Sequence, residues 1–109
     1  MDRLHHVAVT VPDIQQALQW YRSQFDLAII YEDATWALLR FGNIDLALVL
    51  PGQHPPHIAI ERADAAAYGP LRRHRDGTAS VYINDPFGNV IEIMQAAEAA
   101  SAVPDAVRG

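Results

Sequence analysis

Residues 4–13 read LHHVAVTVPD, and residues 56–64 read PHIAIERAD. Shifted by 51 positions, His6-Val7-Ala8-Val9 falls on His57-Ile58-Ala59-Ile60, and Asp13 falls on Asp64. Each copy gives a histidine, a β-branched residue, an alanine and a second β-branched residue. An aspartate and a helical pattern follow. The shift is close to half of the 109-residue chain. Self-similarity of this kind implies two copies of one supersecondary unit.

Residues 4–11 alternate and are β-branched, which predicts a strand, and Pro12 ends it. Asp13 suits a helix N-cap, with Gln16 three residues on as in a capping box. Ile14, Ala17, Leu18, Tyr21 and Phe25 recur at helical spacing and give one apolar face. Residues 27–32 read as extended. TWALLRF (35–41) and IDLALVL (44–50) form a hairpin about Gly42-Asn43. The first half is therefore β-α-β-β-β. The second half is a compressed copy: a strand at HIAIE, then a helix opened by Asp64 and running from Ala65 to Tyr68. Gly69-Pro70 ends that helix. TASVYIN (78–84) and NVIEIM (89–94) make a hairpin about Asp85-Pro86-Phe87-Gly88. No clear strand shows between residues 71 and 77. The expected organisation is one α+β domain over residues 1–95, built of modules 4–51 and 56–95. Residues 96–109 are Ala-rich and predict a frayed or disordered tail.

Composition narrows the function. Half of the residues are hydrophobic, enough for one domain with one core. Apolar stretches are short and charged, so no transmembrane helix is expected. The first residues do not read as a signal peptide, and a cytoplasmic location is expected. The chain has no cysteine, which excludes thiolate nucleophiles, thiolate metal sites and disulfides. It has no lysine, which excludes Schiff-base chemistry and a P-loop lysine. A formal charge of −5 argues against nucleic acid as a partner. The one basic cluster, RRHR at residues 72–75, reads as a solvated helix end.

Strand neighbours point to opposite faces. Val7, Val9 and Val11 must bury under the first helix, which turns His6, Ala8 and Thr10 the other way. Ile58 and Ile60 turn His57, Ala59 and Glu61 the same way. Ile91 and Ile93 do so for Val90, Glu92 and Met94. His6, His57 and Glu92 thus share a half-polar face by parity alone. Two imidazoles and a carboxylate suit one divalent metal ion such as Fe, Mn, Zn, Ni or Co, and leave positions open for substrate. Taken singly, each histidine also fits an ordinary strand-end residue. A glutamate in an apolar strand is less ordinary, because burying an unpaired carboxylate is costly. His5 has the helix-side parity, so His5→Ala is expected to cost stability or nothing, and His6→Ala to cost metal.

Over residues 4–95 the chain resembles the vicinal-oxygen-chelate superfamily, the glyoxalase I, bleomycin-resistance and extradiol-dioxygenase fold. The resemblance is carried by LHHVAVTVPDIQQALQWYRSQFDL, PHIAIE and VYINDPFGNVIEIM. It implies two βαβββ modules forming a curved half-barrel cleft around a metal, and a homodimer. It places the metal ligands at His6, His57 and Glu92. The family's fourth-strand ligand falls on Ala47 or Leu46, neither of which binds metal, so a four-ligand glyoxalase site is not expected. Residues 74–92 resemble the extradiol signature, with His74, Tyr82 and Glu92 at its positions. Arg72 stands where that pattern wants a small or aliphatic residue.

The resemblance gives Tyr82 and Glu92 catalytic roles and Thr10, Trp36, Asp45, Ala47 and Tyr82 as substrate-binding positions. Asp45 lines the cleft or caps the turn. His54 falls in an exposed loop, and His74 lies in a charged turn. The implied function is a metal-dependent enzyme whose small-molecule substrate chelates the ion through adjacent oxygens, by extradiol-dioxygenase or glyoxalase-type chemistry. One alternative is a bleomycin-resistance-type binding protein in which Tyr31, Trp36 and Tyr82 stack on a flat ligand. A fosfomycin-type thiol transferase is another, although the lysine of those enzymes is absent. A purely structural metal would be the third.

Overall fold

The computed structural model describes residues 1–74 and 77–96. Apart from Ala96, the expected tail lies outside the described residues, as does Arg75. In chain order the elements are β1 (Arg3–Thr10), α1 (Ile14–Gln24), β2 (Ala28–Glu32), β3 (Trp36–Arg40) and β4 (Asp45–Val49). Then come β5 (His57–Arg62), a 3-10 turn (Ala65–Tyr68), β6 (Arg72–Arg73), β7 (Ala79–Asn84) and β8 (Val90–Gln95). The fold is α+β, as expected. Strand order is β2-β3-β4-β1-β5-β8-β7-β6 in a sheet that is not closed. The chain divides into two compact units, Leu4–Ala59 and Met1–Arg3 with the chain from Ile60 on.

In the unit Leu4–Ala59, Asp13 has an extended backbone and its Oδ1 accepts from the Gln16 N–H at 2.8 Å. This satisfies one of the N–H groups that a helix start leaves without a partner. The helix ends at Phe25, which turns extended while its N–H still donates to Tyr21 O at 2.9 Å. Ile14 and Leu18 bury against Ala37, Leu39 and Leu48, with Val9 and Val11 packed at the margin. Each fully buried leucine contributes roughly 1.5–3 kcal/mol. β1 and β4 run parallel, pairing His6 with Asp45, Ala8 with Ala47 and Thr10 with Val49. Paired residues project to the same face, so His6, Asp45, Ala8 and Ala47 share one. β3 and β4 form the expected hairpin, closed by Phe41 N–H to Ile44 O at 3.0 Å. Neither Gly42 nor Asn43 has positive φ, so the turn is not of the primed type that Asn-Gly pairs favour.

In the other unit, Asp64 does not cap the 3-10 turn. Its carboxylate instead accepts from Arg62 at 2.7 Å, and Arg62 also pairs with Asp2 at 2.6 Å. Gly69 has φ +150, and a Cβ there would lie 3.1 Å from Val81 Cγ2. That close approach explains why glycine follows the turn. Arg72 and Arg73 form β6, pairing with Ser80 and Ala79 of β7. This corrects the helix end expected at RRHR: a ladder to β7, which composition does not reveal, takes up their backbone groups. β7 and β8 are antiparallel, with Ser80 opposite Met94 and Tyr82 opposite Glu92. Asp85 Oδ1 accepts from the N–H groups of Phe87 and Asn89 at 2.8 and 2.9 Å, and Gly88 supplies φ +87.

Candidate metal centre

His57 opens β5 and is 8 % exposed. Its Nδ1 lies 2.8 Å from Pro55 O. A carbonyl only accepts, so Nδ1 carries the proton and Nε2 presents a lone pair. This is how metal-bound histidines are oriented. His6 Nε2 lies 3.3 Å from His57 Nε2, with the rings edge to face. Two nitrogens each about 2.0–2.1 Å from one ion at a tetrahedral angle lie about 3.3–3.4 Å apart. The spacing and the His57 tautomer therefore fit a shared divalent ion. On the other side of His6, Nδ1 lies 2.8 Å from His5 Nδ1. With the proton of that bond on His6, both Nε2 atoms present lone pairs.

Asp45 is buried next to His6 in the β1–β4 register. Its two oxygens accept from Arg40 Nε and Nη2 at 2.9 and 3.0 Å. The sequence left open whether Asp45 lines the cleft or caps the turn; the structure makes it the anchor of a half-exposed guanidinium. That pair was legible, since a two-residue turn at 42–43 sets Arg40 opposite Asp45. Ala47 is buried and Thr10 is exposed at the end of β1. Trp36 stacks on Tyr31 with ring centroids 4.6 Å apart.

Glu92 lies in the other unit and is 5 % exposed between apolar neighbours on β8. Ser80 Oγ donates to Glu92 Oε2 at 2.7 Å, and His74 Nε2 lies 2.7 Å from the same Oγ. His74, expected in a charged turn, is thus brought against Ser80. Tyr82 stands opposite Glu92 and keeps 38 % of its surface exposed. Burial first, and the Glu92 charge second, push its phenol up to about 12. It remains a protonated hydrogen-bond donor at neutral pH. Reading the sequence missed Ser80, because a serine in TASVYIN looks like any strand serine. It also missed His5 as a partner of His6, because strand parity sets neighbours on opposite faces. Every buried side-chain nitrogen and oxygen among the described residues has a partner.

The family described as the Glyoxalase/Bleomycin resistance protein/Dioxygenase superfamily matches residues 3–67. The chain belongs to that superfamily. Among solved structures it is similar to methylmalonyl-CoA epimerase from Mycobacterium tuberculosis, at 21 % identity and TM-score 0.67, over 92 % of this chain and 91 % of that one. It is similar to Streptomyces coelicolor methylmalonyl-CoA epimerase in complex with 2-nitronate-propionyl-CoA, at 20 % identity and TM-score 0.70, over 88 % and 98 %. A hypothetical protein from Bacillus halodurans C-125 matches at 17 % identity and TM-score 0.70, over 89 % and 96 %. At these identities the likeness is one of fold. No curated protein matches the sequence. No helix among the described residues is long and apolar enough to cross a membrane.

Proposed function

We propose that this chain is a small metal-dependent enzyme in which His6, His57 and Glu92 hold one divalent ion. The observation that carries the proposal is the His6–His57 pair, with Nε2 atoms 3.3 Å apart and the His57 tautomer set by Pro55 O. Each of the three residues offers one ligand atom, and all three had matching strand parity. When bound, a divalent ion would supply Lewis-acid polarisation to a substrate that offers adjacent oxygens. The protein's own groups would complete the site. Tyr82, held protonated, donates a hydrogen bond to a substrate oxygen. Arg40, anchored on Asp45, presents a cation to an anionic substituent. Thr10, Trp36 and Ala47 belong to the substrate-facing set. Ring cleavage of the extradiol type gains less support, since by the resemblance it uses a further histidine on the fourth strand and β4 carries none. The similar epimerases put a methylmalonyl thioester on the substrate panel.

The test is metal analysis of protein purified without chelator, then titration with Fe, Mn, Zn, Ni and Co. One ion per chain is expected in the wild type. His6→Ala, His57→Ala and Glu92→Ala are each expected to lose it. A wild type that takes up none of the five metals rejects the proposal. Catechols, α-ketoaldehyde–thiol adducts, fosfomycin with a thiol, and methylmalonyl-CoA then sort the chemistry. Metal-free sequestration of a flat ligand gains less support, since Tyr31 and Trp36 already spend one ring face each on the other. A homodimer is part of the proposal and is read by sedimentation.

A further inference from the structure

We infer that Ser80 and His74 are positioning residues that hold the Glu92 carboxylate for the metal, an inference that rests on the metal reading above. Glu92 lies in an apolar stretch of β8, between Ile91 and Ile93. A buried carboxylate without a donor is costly, and one without an anchor has several rotamers to choose from. Ser80 supplies the anchor. It is 1 % exposed, sits diagonally from Glu92 across the β7–β8 ladder, and donates to Oε2 at 2.7 Å. A hydroxyl has one hydrogen, and here the carboxylate takes it. The 2.7 Å contact between His74 Nε2 and Ser80 Oγ therefore has His74 as the donor.

The chain runs His74 Nε2–H to Ser80 Oγ, and Ser80 O–H to Glu92 Oε2. His74 Nε2 is 3.6 Å from Oε2, outside hydrogen-bond reach, so it acts on Glu92 through the serine. His74 is itself held. Its backbone N–H donates to Thr78 O at 2.7 Å, its carbonyl accepts from Gly77 N–H at 3.0 Å, and Gly77 has φ +91. The imidazole thus holds the hydroxyl, and the hydroxyl holds one carboxylate oxygen. Partners of this kind around a ligand typically change metal affinity by about 10- to 100-fold.

The test compares wild type, Ser80→Ala, His74→Ala and His74→Gln. Two quantities are measured: affinity for whichever of Mn, Fe, Zn, Ni or Co the wild type takes up, and the melting temperature of chelator-treated protein. Ser80→Ala and His74→Ala should weaken the metal about 10- to 100-fold while the chelator-treated protein still unfolds in one cooperative transition, with Ser80→Ala melting lower because Glu92 loses a donor. His74→Gln keeps an N–H donor and should return affinity to within a few-fold of wild type. Wild-type affinity in both alanine variants overturns the inference and leaves the metal reading standing. So does weakening that tracks loss of fold and is not rescued by His74→Gln. A wild type that binds no metal overturns both.

Discussion

His5 and His6 are sequence neighbours whose Nδ1 atoms meet at 2.8 Å, with ring centroids 5.1 Å apart. Alternation along a strand would separate them, yet near the start of β1 both rings are half-buried and turn toward each other. Parity suggests that His5→Ala costs stability or nothing; the contact gives it a further consequence. His5→Ala should weaken metal binding about tenfold, because His6 Nδ1 loses the ring nitrogen it meets at 2.8 Å; calorimetric titration reads this, and wild-type affinity would count against the role. Tyr82 gives a pH prediction. Its folded pKa, about 12, lies above the ordinary value. A raised tyrosine pKa contributes stability below the unfolded value of about 10, and that contribution is lost as pH rises through about 12. Phenolate absorbance should show one late-titrating tyrosine. Glu92→Gln removes the second cause and should bring its midpoint down. An unchanged midpoint would mean burial alone sets it.

Among the elements, α1 and the 3-10 turn begin at repeat-related aspartates yet differ in kind. Asp13 caps eleven residues of helix through the Gln16 N–H, whereas Asp64 spends its carboxylate on Arg62. Gly69-Pro70 cuts the second copy short before a helix can propagate, and a single turn is too short to sustain itself. Asp13→Ala should cost about 1 kcal/mol in denaturant unfolding, and Asp13→Ser much less. Equal losses would point to a role for the charge and not for the cap. β6 shows why one strand escaped the sequence. Two residues carry no periodicity, and only pairing with β7 makes Arg72-Arg73 extended.

At the scale of the whole molecule, the α+β class and most elements were legible because two local signals agreed. Alternation marked the strands, and the 51-residue repeat showed where the pattern restarted. Apolar parity also foretold that Val9 and Val11 pack toward Ile14 and Leu18. Leu39 is fully buried among these residues, so Leu39→Ala should cost about 2–5 kcal/mol in denaturant unfolding. A loss under about 1 kcal/mol would mean that this core collapses around the gap. The sequence by itself determined which residue types could bind metal and which side of its strand each takes, because side-chain direction follows from backbone period. Only the tertiary structure decided the partners: His5 on His6, Pro55 O on His57, and Ser80 with His74 on Glu92. Lateral neighbours depend on strand order, register and rotamer. Even between residues near each other in the chain, such as Pro55 and His57 or Ser80 and Glu92, these are settled by how the folded backbone turns and pairs, which alternation alone does not encode.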